Sequence, residues 1–207
     1  MLNNWEEKPL ILNEKHKIII DEWFSMLQKN EYNFNGFTYN GLKLRAELRR
    51  QSLPYGVMLQ EGYWILADRL FNENKFLIEN KNHHQALALF VAVAVFAKNN
   101  NDNASFASQL SEKNPVGERS IMSSLRFNQL IACDNDEVFC RRLIRAVKLR
   151  NDNGVNIFSL ADGIFLWIQE RHDCQLGLPS SDLDPFKRNS IRWAMNYYSN
   201  KKNFKEQ

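Results

Sequence analysis

Apolar residues recur at helical spacing along almost the whole of this 207-residue chain. Gly and Pro, which interrupt helices, number only eight and five, and alternating β-branched residues are nearly absent. The pattern predicts an all-α fold, and a hydrophobic share of 44% is large enough to fill a sizeable core. The predicted helices, about nine in number, cover residues 14–29, 41–52, 56–72, 84–98, 104–112, 115–129, 136–149, 156–171 and 185–199.

A run of polar residues divides the chain nearly in half. Residues 99–103, Asn-Asn-Asn-Asp-Asn, have nothing to bury, so we expect a boundary there between two small helical bundles, residues 1–100 and 104–207. Just before it, residues 86–97 are almost entirely apolar, which predicts a buried core helix. This run is well short of the roughly 20 residues that a membrane span requires.

The segment Arg141–Arg150 combines helical apolar spacing with five positive charges and no negative ones. At about 100° per residue, the apolar positions share one face: Cys140, Leu143, Ile144 and Val147. The opposite face carries Arg141, Arg142, Arg145 and Lys148, and Arg150 falls outside it. The nearest acids, Asp136 and Glu137, stand at the helix start, where they suit the helix dipole. This arrangement predicts a helix that packs on one side and binds a polyanion on the other.

Arg119 and Arg126 form a second candidate phosphate-binding pair. They are predicted to share one helix face with the small Ser123 between them, roughly 10 Å apart at 1.5 Å rise per residue. Arg forks bind phosphate through paired hydrogen bonds. A solvated arginine face, or ion pairs with neighbouring helices, is the alternative.

A third basic set lies in the segment GLKLRAELRR, residues 41–50. Arg45 and Arg49 form a stripe beside the apolar seam, and Arg50 flanks the other side. Because Glu47 lies within the same helix, structural pairing and phosphate binding are both open for these arginines.

The basic charge is concentrated. Residues 119–150 carry seven basic and three acidic side chains, an excess of four, whereas the whole chain has a net charge of +3. A local concentration of this kind predicts one docked anionic partner rather than a nonspecific coat of nucleic acid.

Recognisable enzyme motifs are missing from the sequence, which contains no glycine-rich nucleotide loop, no Walker loop, no GxSxG and no HExxH. Cys133, Cys140 and Cys174 are odd in number and form no CxxC pair, which argues against a disulfide framework and a zinc site. We therefore expect no catalysis, no cofactor and no bound metal. The N-terminus has early acids and no secretory pattern, so we expect a cytoplasmic protein with no membrane association.

The order of several segments resembles the small subunit of the type I-E CRISPR Cascade complex, the CasB family. Those segments are GLKLRAELRR, VGERSIMSSLRFN, DEVFCRRLIRAVKL, IFSLADGIFLWI and FKRNSIRWAMNYY, and they span most of the chain. The most specific match is Glu118–Ile121 followed by Arg141–Leu143.

The resemblance implies a non-catalytic subunit of antiviral defence built from two helical bundles. A pair of copies would lie along the belly of the complex, against the subunits that coat the crRNA, so contact with crRNA would be indirect. The implied role is to stabilise the R-loop by holding the target and displaced DNA strands. The implied ligands are both single-stranded and double-stranded DNA. Matching basic positions are Arg119, Arg126, Arg141 and Arg142, with Arg45, Arg49 and Arg50 as weaker matches.

Two other classes of function remain open from the sequence. A helical protein–protein scaffold would pair its arginines with acidic partner surfaces. A small helical nuclease is the third reading, although no cluster of carboxylates for a metal emerges.

Overall fold

Helices dominate the structure, a computed structural model that describes residues 9–34, 36–72, 80–114, 119–178 and 184–203. Those residues form nine α-helices: α1 (Glu14–Met26), α2 (Gly41–Arg49), α3 (Glu61–Asn72), α4 (Lys81–Ala94), α5 (Phe106–Ser111), α6 (Ser124–Ile131), α7 (Asp136–Arg150), α8 (Ile157–Gln175) and α9 (Asn189–Asn203). Short 3₁₀ helices lie at Tyr55–Leu59, Asn151–Asn153 and Pro185–Lys187. The all-α prediction is confirmed.

A small hairpin between α1 and α2 was not predicted. Strands β1 (Tyr32–Phe34) and β2 (Phe37–Tyr39) pair antiparallel, with Tyr32 opposite Tyr39. Gly36 has a positive φ of 78°, which a residue with a side chain rarely adopts. The sequence signal was an Asn-Gly pair between two aromatic segments, a common hairpin turn.

Most of the helices begin at a polar side chain that accepts a backbone hydrogen bond. These capping residues are Asn13, Asn40, Asn80, Ser105, Ser123, Asn135 and Asn156, at the starts of α1, α2 and α4 to α8. Each cap satisfies an N–H that the helix cannot, which typically stabilises a helix by about 1 kcal/mol. The caps fix where each amphipathic segment starts and so which side chains point inward.

The core is organised around α4. Its residues 86–94 are all buried, as the apolar run predicts, and it packs against α2, α3, α7 and α8. Helix α9 packs mainly on α5, and α6 lies between α7 and α9. None of the helices in the described ranges is long and apolar enough to cross a membrane.

The asparagine run at residues 99–103 is bound to the loop between α7 and α8. Asn101 N donates to Val155 O and Val155 N donates to Asn99 O, each at 3.0 Å. The amide side chains of Asn99 and Asn101 donate to carbonyls at Asp152 and Asn153. The proposed division into two bundles at this run stays a prediction; across it, α4 packs directly on α7 and α8.

The helix predicted over residues 115–129 is wrong over residues 119–123. Residues 115–118 lie outside the described residues, and α6 begins only at Ser124 because the Ser123 side chain accepts from Arg126 N. Before that cap, Ile121 N donates to Glu112 O and Met122 N donates to Leu110 O. The backbone here doubles back onto the end of α5 instead of continuing a helix.

Candidate nucleic-acid interface

A groove of about 510 Å³ lies between α6 and α7. Its lining consists of Met122, Arg126, Gln129, Leu130, Arg142, Arg145, Lys148 and Leu149. Four of these eight side chains are cationic and none is acidic, so the groove is a site of concentrated positive charge. We call it the α6–α7 groove.

The apolar side of α7 fixes the cations in this position. Cys140, Leu143 and Val147 are almost completely buried, which confirms the predicted apolar seam. Burial raises the pKa of the Cys140 thiol to about 12, so it packs as a neutral group. Because the seam faces the core, Arg145 and Lys148 are left exposed on the groove side.

Arg126 and Arg145 carry charge that the protein does not balance. Both are exposed, and within the described residues neither side chain has a hydrogen-bond or ion-pair partner. Lys148 also has no acidic partner there; its Nζ lies 4.4 Å from the centroid of the Phe96 ring. Cations gathered without acids repel one another, so an anion bound between them is favoured electrostatically.

Arg142 has a structural contact as well as a place in the groove. Its guanidinium donates to the carbonyl of Gln129, in the last turn of α6, and to Cys133 Sγ at 3.2 Å. Burial raises the pKa of the Cys133 thiol, although Arg142 opposes the shift. Arg142 therefore joins α6 to α7 and holds the two walls of the groove together.

The structure separates Arg119 and Arg141 from the other predicted cations. Arg119 is exposed in the turn before α6, so the predicted alignment of Arg119, Ser123 and Arg126 along one helix face is wrong. Arg141 is exposed on α7 and pairs with Glu137, 3.3 Å away, one helical turn earlier. Neither lines the groove.

Arg45 and Arg49 contact the C-terminal end of α4. Arg45 Nε and Arg49 Nε both donate to Val95 O, at 2.9 and 2.7 Å, and Arg45 also donates to Ala97 O and Gln28 Oε1. Burial, and secondarily the charge of Arg49, lowers the Arg45 pKa to about 10. These contacts show a structural role for Arg45, and its phosphate-binding role stays a prediction.

Arg50 has a different position from Arg45 and Arg49. It is the exposed C-cap residue of α2 and lies outside the groove lining.

Arg150 is buried, although the sequence places it in the most basic segment. It is 1% exposed, and its guanidinium donates to Gly154 O and Gln109 O and pairs with Glu112. It therefore stabilises the junction of α5, α7 and the following loop. The sequence indicated this difference, because Arg150 falls outside the predicted cationic face of α7.

Sequence reasoning missed the neutral part of the groove. Met122, Leu130 and Leu149 give the cationic walls an apolar lining, and Gln129 adds an amide. Over the residues that the structure describes, no group of three or more His, Cys, Asp or Glu side chains could hold a metal ion. The three cysteines are free thiols.

The fold and the groove together define an all-α protein with an uncompensated cationic surface. The profile of a family described as CRISPR-associated protein Cse2 matches residues 44–198. The chain thus belongs to this family, the small subunit of the type I-E Cascade complex, which makes it a structural subunit of a CRISPR surveillance complex. The matched region contains every basic residue of the α6–α7 groove. Searches of the curated proteins and of the solved structures return no match.

Proposed function

We propose that this chain is a non-catalytic subunit that stabilises the R-loop by holding DNA backbones in the α6–α7 groove. The observation that carries the proposal is the convergence of Arg126, Arg142, Arg145 and Lys148 on one groove without an acid. Phosphates would bind these cations, because guanidinium and ammonium groups form strong charge-assisted hydrogen bonds with phosphate. Backbone contacts of this kind position a strand without reading its sequence.

The apolar lining supports an extended strand as the ligand. Met122, Leu130 and Leu149 can contact the sugar and base of a strand whose phosphates bind the surrounding cations. Sequence specificity would come from pairing between crRNA and target, as in RNA-guided complexes generally. The subunit would contact crRNA only indirectly, through the other Cascade subunits and beside a second copy of itself, in the cytoplasm.

Arg119 and Arg141 would act as outlying contacts for target or displaced strand. Both are exposed, and Arg141 shares its charge with Glu137. Arg50, exposed at the end of α2, belongs to the same outlying group, whereas Arg45 supports the fold. We therefore expect the strongest dependence of DNA binding at Arg126 and Arg145.

The test is DNA binding by the full chain as a function of salt. Fluorescence anisotropy with a labelled single strand of mixed sequence, between about 50 and 200 mM salt, gives the affinity and its salt slope. Replacing Arg126 and Arg145 by Ala should weaken binding at least tenfold, because a loss of about 1.4 kcal/mol of binding free energy corresponds to a tenfold loss of affinity. Losing two phosphate contacts should also flatten the log–log slope by about 1.4.

A matched control removes two positive charges elsewhere. Lys15 and Lys81 are exposed in the first turns of α1 and α4, and Lys81 is at the opposite end of α4 from the groove. The Lys15→Ala/Lys81→Ala variant should keep most of the affinity and slope. Equal losses in both double variants would mean that only net charge matters, and the groove would not be the binding site.

A further inference from the structure

Phe96 lies just after the C-terminal end of α4, and its ring contacts Lys148, one of the residues that line the groove. Two cations from different helices contact its half-buried ring. Lys148 Nζ of α7 is 4.4 Å from the ring centroid, and Arg49 Cζ of α2 is 5.4 Å from it. One aromatic ring therefore borders both the α6–α7 groove and the basic end of α2.

A contact with an aromatic ring holds a cation in place without cancelling its charge. The ammonium of Lys148 has three N–H donors, so it can face the ring and still donate to a phosphate. Arg49 is fixed in a similar way, because its Nε donates to Val95 O while the rest of the guanidinium has no other polar partner among the described residues. By contrast, the Arg141 charge is shared with a carboxylate.

The C-terminal end of α4 would ordinarily repel a phosphate, because its free carbonyls carry partial negative charge. Arg45 removes this obstacle. Its guanidinium donates to the Val95 and Ala97 carbonyls that follow α4. The surface around Phe96 is consequently cationic even where a helix ends.

We propose that Phe96 is a positioning residue that holds Lys148 and Arg49 together as one further phosphate-binding position. A strand in the α6–α7 groove then continues past the end of α4 toward α2. This inference rests on the proposed function of the groove. It assigns a role to a neutral side chain and adds a contact outside the groove lining.

The experiment measures single-strand affinity for full-length Phe96→Met and Phe96→Tyr variants. Met keeps apolar volume but lacks the ring, whereas Tyr keeps the ring. Phe96→Met should weaken binding about two- to fivefold, the range of an exposed cation–π contact. Phe96→Tyr should bind like the wild type. Phe37→Met, at an exposed ring on the β1–β2 hairpin, is the matched control and should have no effect.

A double-mutant cycle separates positioning from general damage. In a Lys148→Ala background, Phe96→Met should cost clearly less affinity than in the wild type, because only one of the two cations that the ring positions, Arg49, remains. The inference is overturned by wild-type affinity in Phe96→Met, by an equal loss with and without Lys148, or by a loss in Phe96→Tyr.

If Phe96→Met fails to fold, a cycle of Arg49→Ala and Lys148→Ala gives the answer without changing the ring. One shared phosphate position predicts non-additive losses, and additive losses overturn the inference. The Arg126/Arg145 variant distinguishes the two proposals. If it loses affinity while Phe96→Met does not, only the inference about Phe96 fails; if it binds normally, the proposed function fails.

Discussion

Replacing Asp162 by Ala should strongly destabilise the protein, because this buried carboxylate binds the N-terminal segment to α8. Asp162 is 3% exposed and accepts backbone hydrogen bonds from Leu10, Ile11 and Leu12 at 2.9 to 3.1 Å. Arg192, also buried, lies 3.4 Å from the same carboxylate. The substitution would remove the acceptor for three N–H groups and break the buried ion pair between Asp162 and Arg192.

The magnitude follows from these contacts. A hydrogen bond to a charged group typically contributes about 1.5 to 3 kcal/mol, but water can replace the acceptor at the exposed Leu10. Breaking a buried ion pair by removing one partner typically costs about 3 to 5 kcal/mol. These effects share one carboxylate and do not add, so we expect a loss of about 3 to 5 kcal/mol in the free energy of unfolding.

Urea unfolding measures this loss, and amide hydrogen exchange locates it. The Ile11 and Leu12 amides should lose protection in Asp162→Ala before the core of α4 does. Asp152→Ala is the control, because Asp152 is exposed and its pair with Lys98 should contribute less than about 1 kcal/mol. A loss below about 1 kcal/mol in Asp162→Ala, with Ile11 and Leu12 still protected, would refute the reasoning.

Four further substitutions test other parts of the account. Burial, and secondarily the charge of His83, lowers the His16 pKa below 6.5, so the unfolded chain takes up this proton first. The free energy of unfolding should therefore fall as the pH drops below about 6.5. His16→Gln should reduce that fall, because Gln cannot take up the proton but can still complete the capping box with Asn13. Identical pH profiles for the two proteins in urea titrations would contradict this. Arg150→Met should cost about 3 to 5 kcal/mol because it leaves Glu112 and two carbonyls without their buried donor, whereas Arg145→Ala should stay within about 0.5 kcal/mol. Equal urea midpoints for these two would refute the distinction. Arg142→Ala should fall between them, at about 0.5 to 1.5 kcal/mol, through the lost bond to Gln129, and calorimetry showing no change would contradict it.

The spacing of apolar residues predicted the helices of this protein and the buried side of α7. Helical spacing gave the helices, and the apolar seam of α7 gave the side on which its cations lie, because both follow from 3.6 residues per turn. Arg142, Arg145 and Lys148 lie on the groove side of α7 for this reason, and Arg126 joins them because α6 packs on α7. The helix ends were less predictable, since a Ser or Asn within an amphipathic segment can either cap the helix or lie inside it.

The sequence pattern could not predict which arginines have structural partners, because those partners are distant in the sequence. Arg45 and Arg150 have the same chemistry as the groove arginines, but carbonyls at Val95 and Gln109 bind their guanidiniums. Arg119 does not share a helix face with Arg126, because Ser123 caps α6 and Arg119 precedes that cap. Which cation is structural and which is free was therefore set by tertiary contacts.

The most direct test of the central claim is the lifetime of the opened target in the assembled complex. Complexes would be assembled with the wild-type chain or with Arg126→Ala/Arg145→Ala, and dissociation of labelled target DNA would be timed with and without a divalent metal. R-loop formation is a near-balanced exchange of duplexes, so losing about 1.4 kcal/mol of backbone contact should lower target occupancy tenfold. We predict faster dissociation, unchanged crRNA binding and intact DNA. Equal lifetimes would contradict the role of the groove, and metal-dependent cleavage that a chelator abolishes would contradict a non-catalytic subunit.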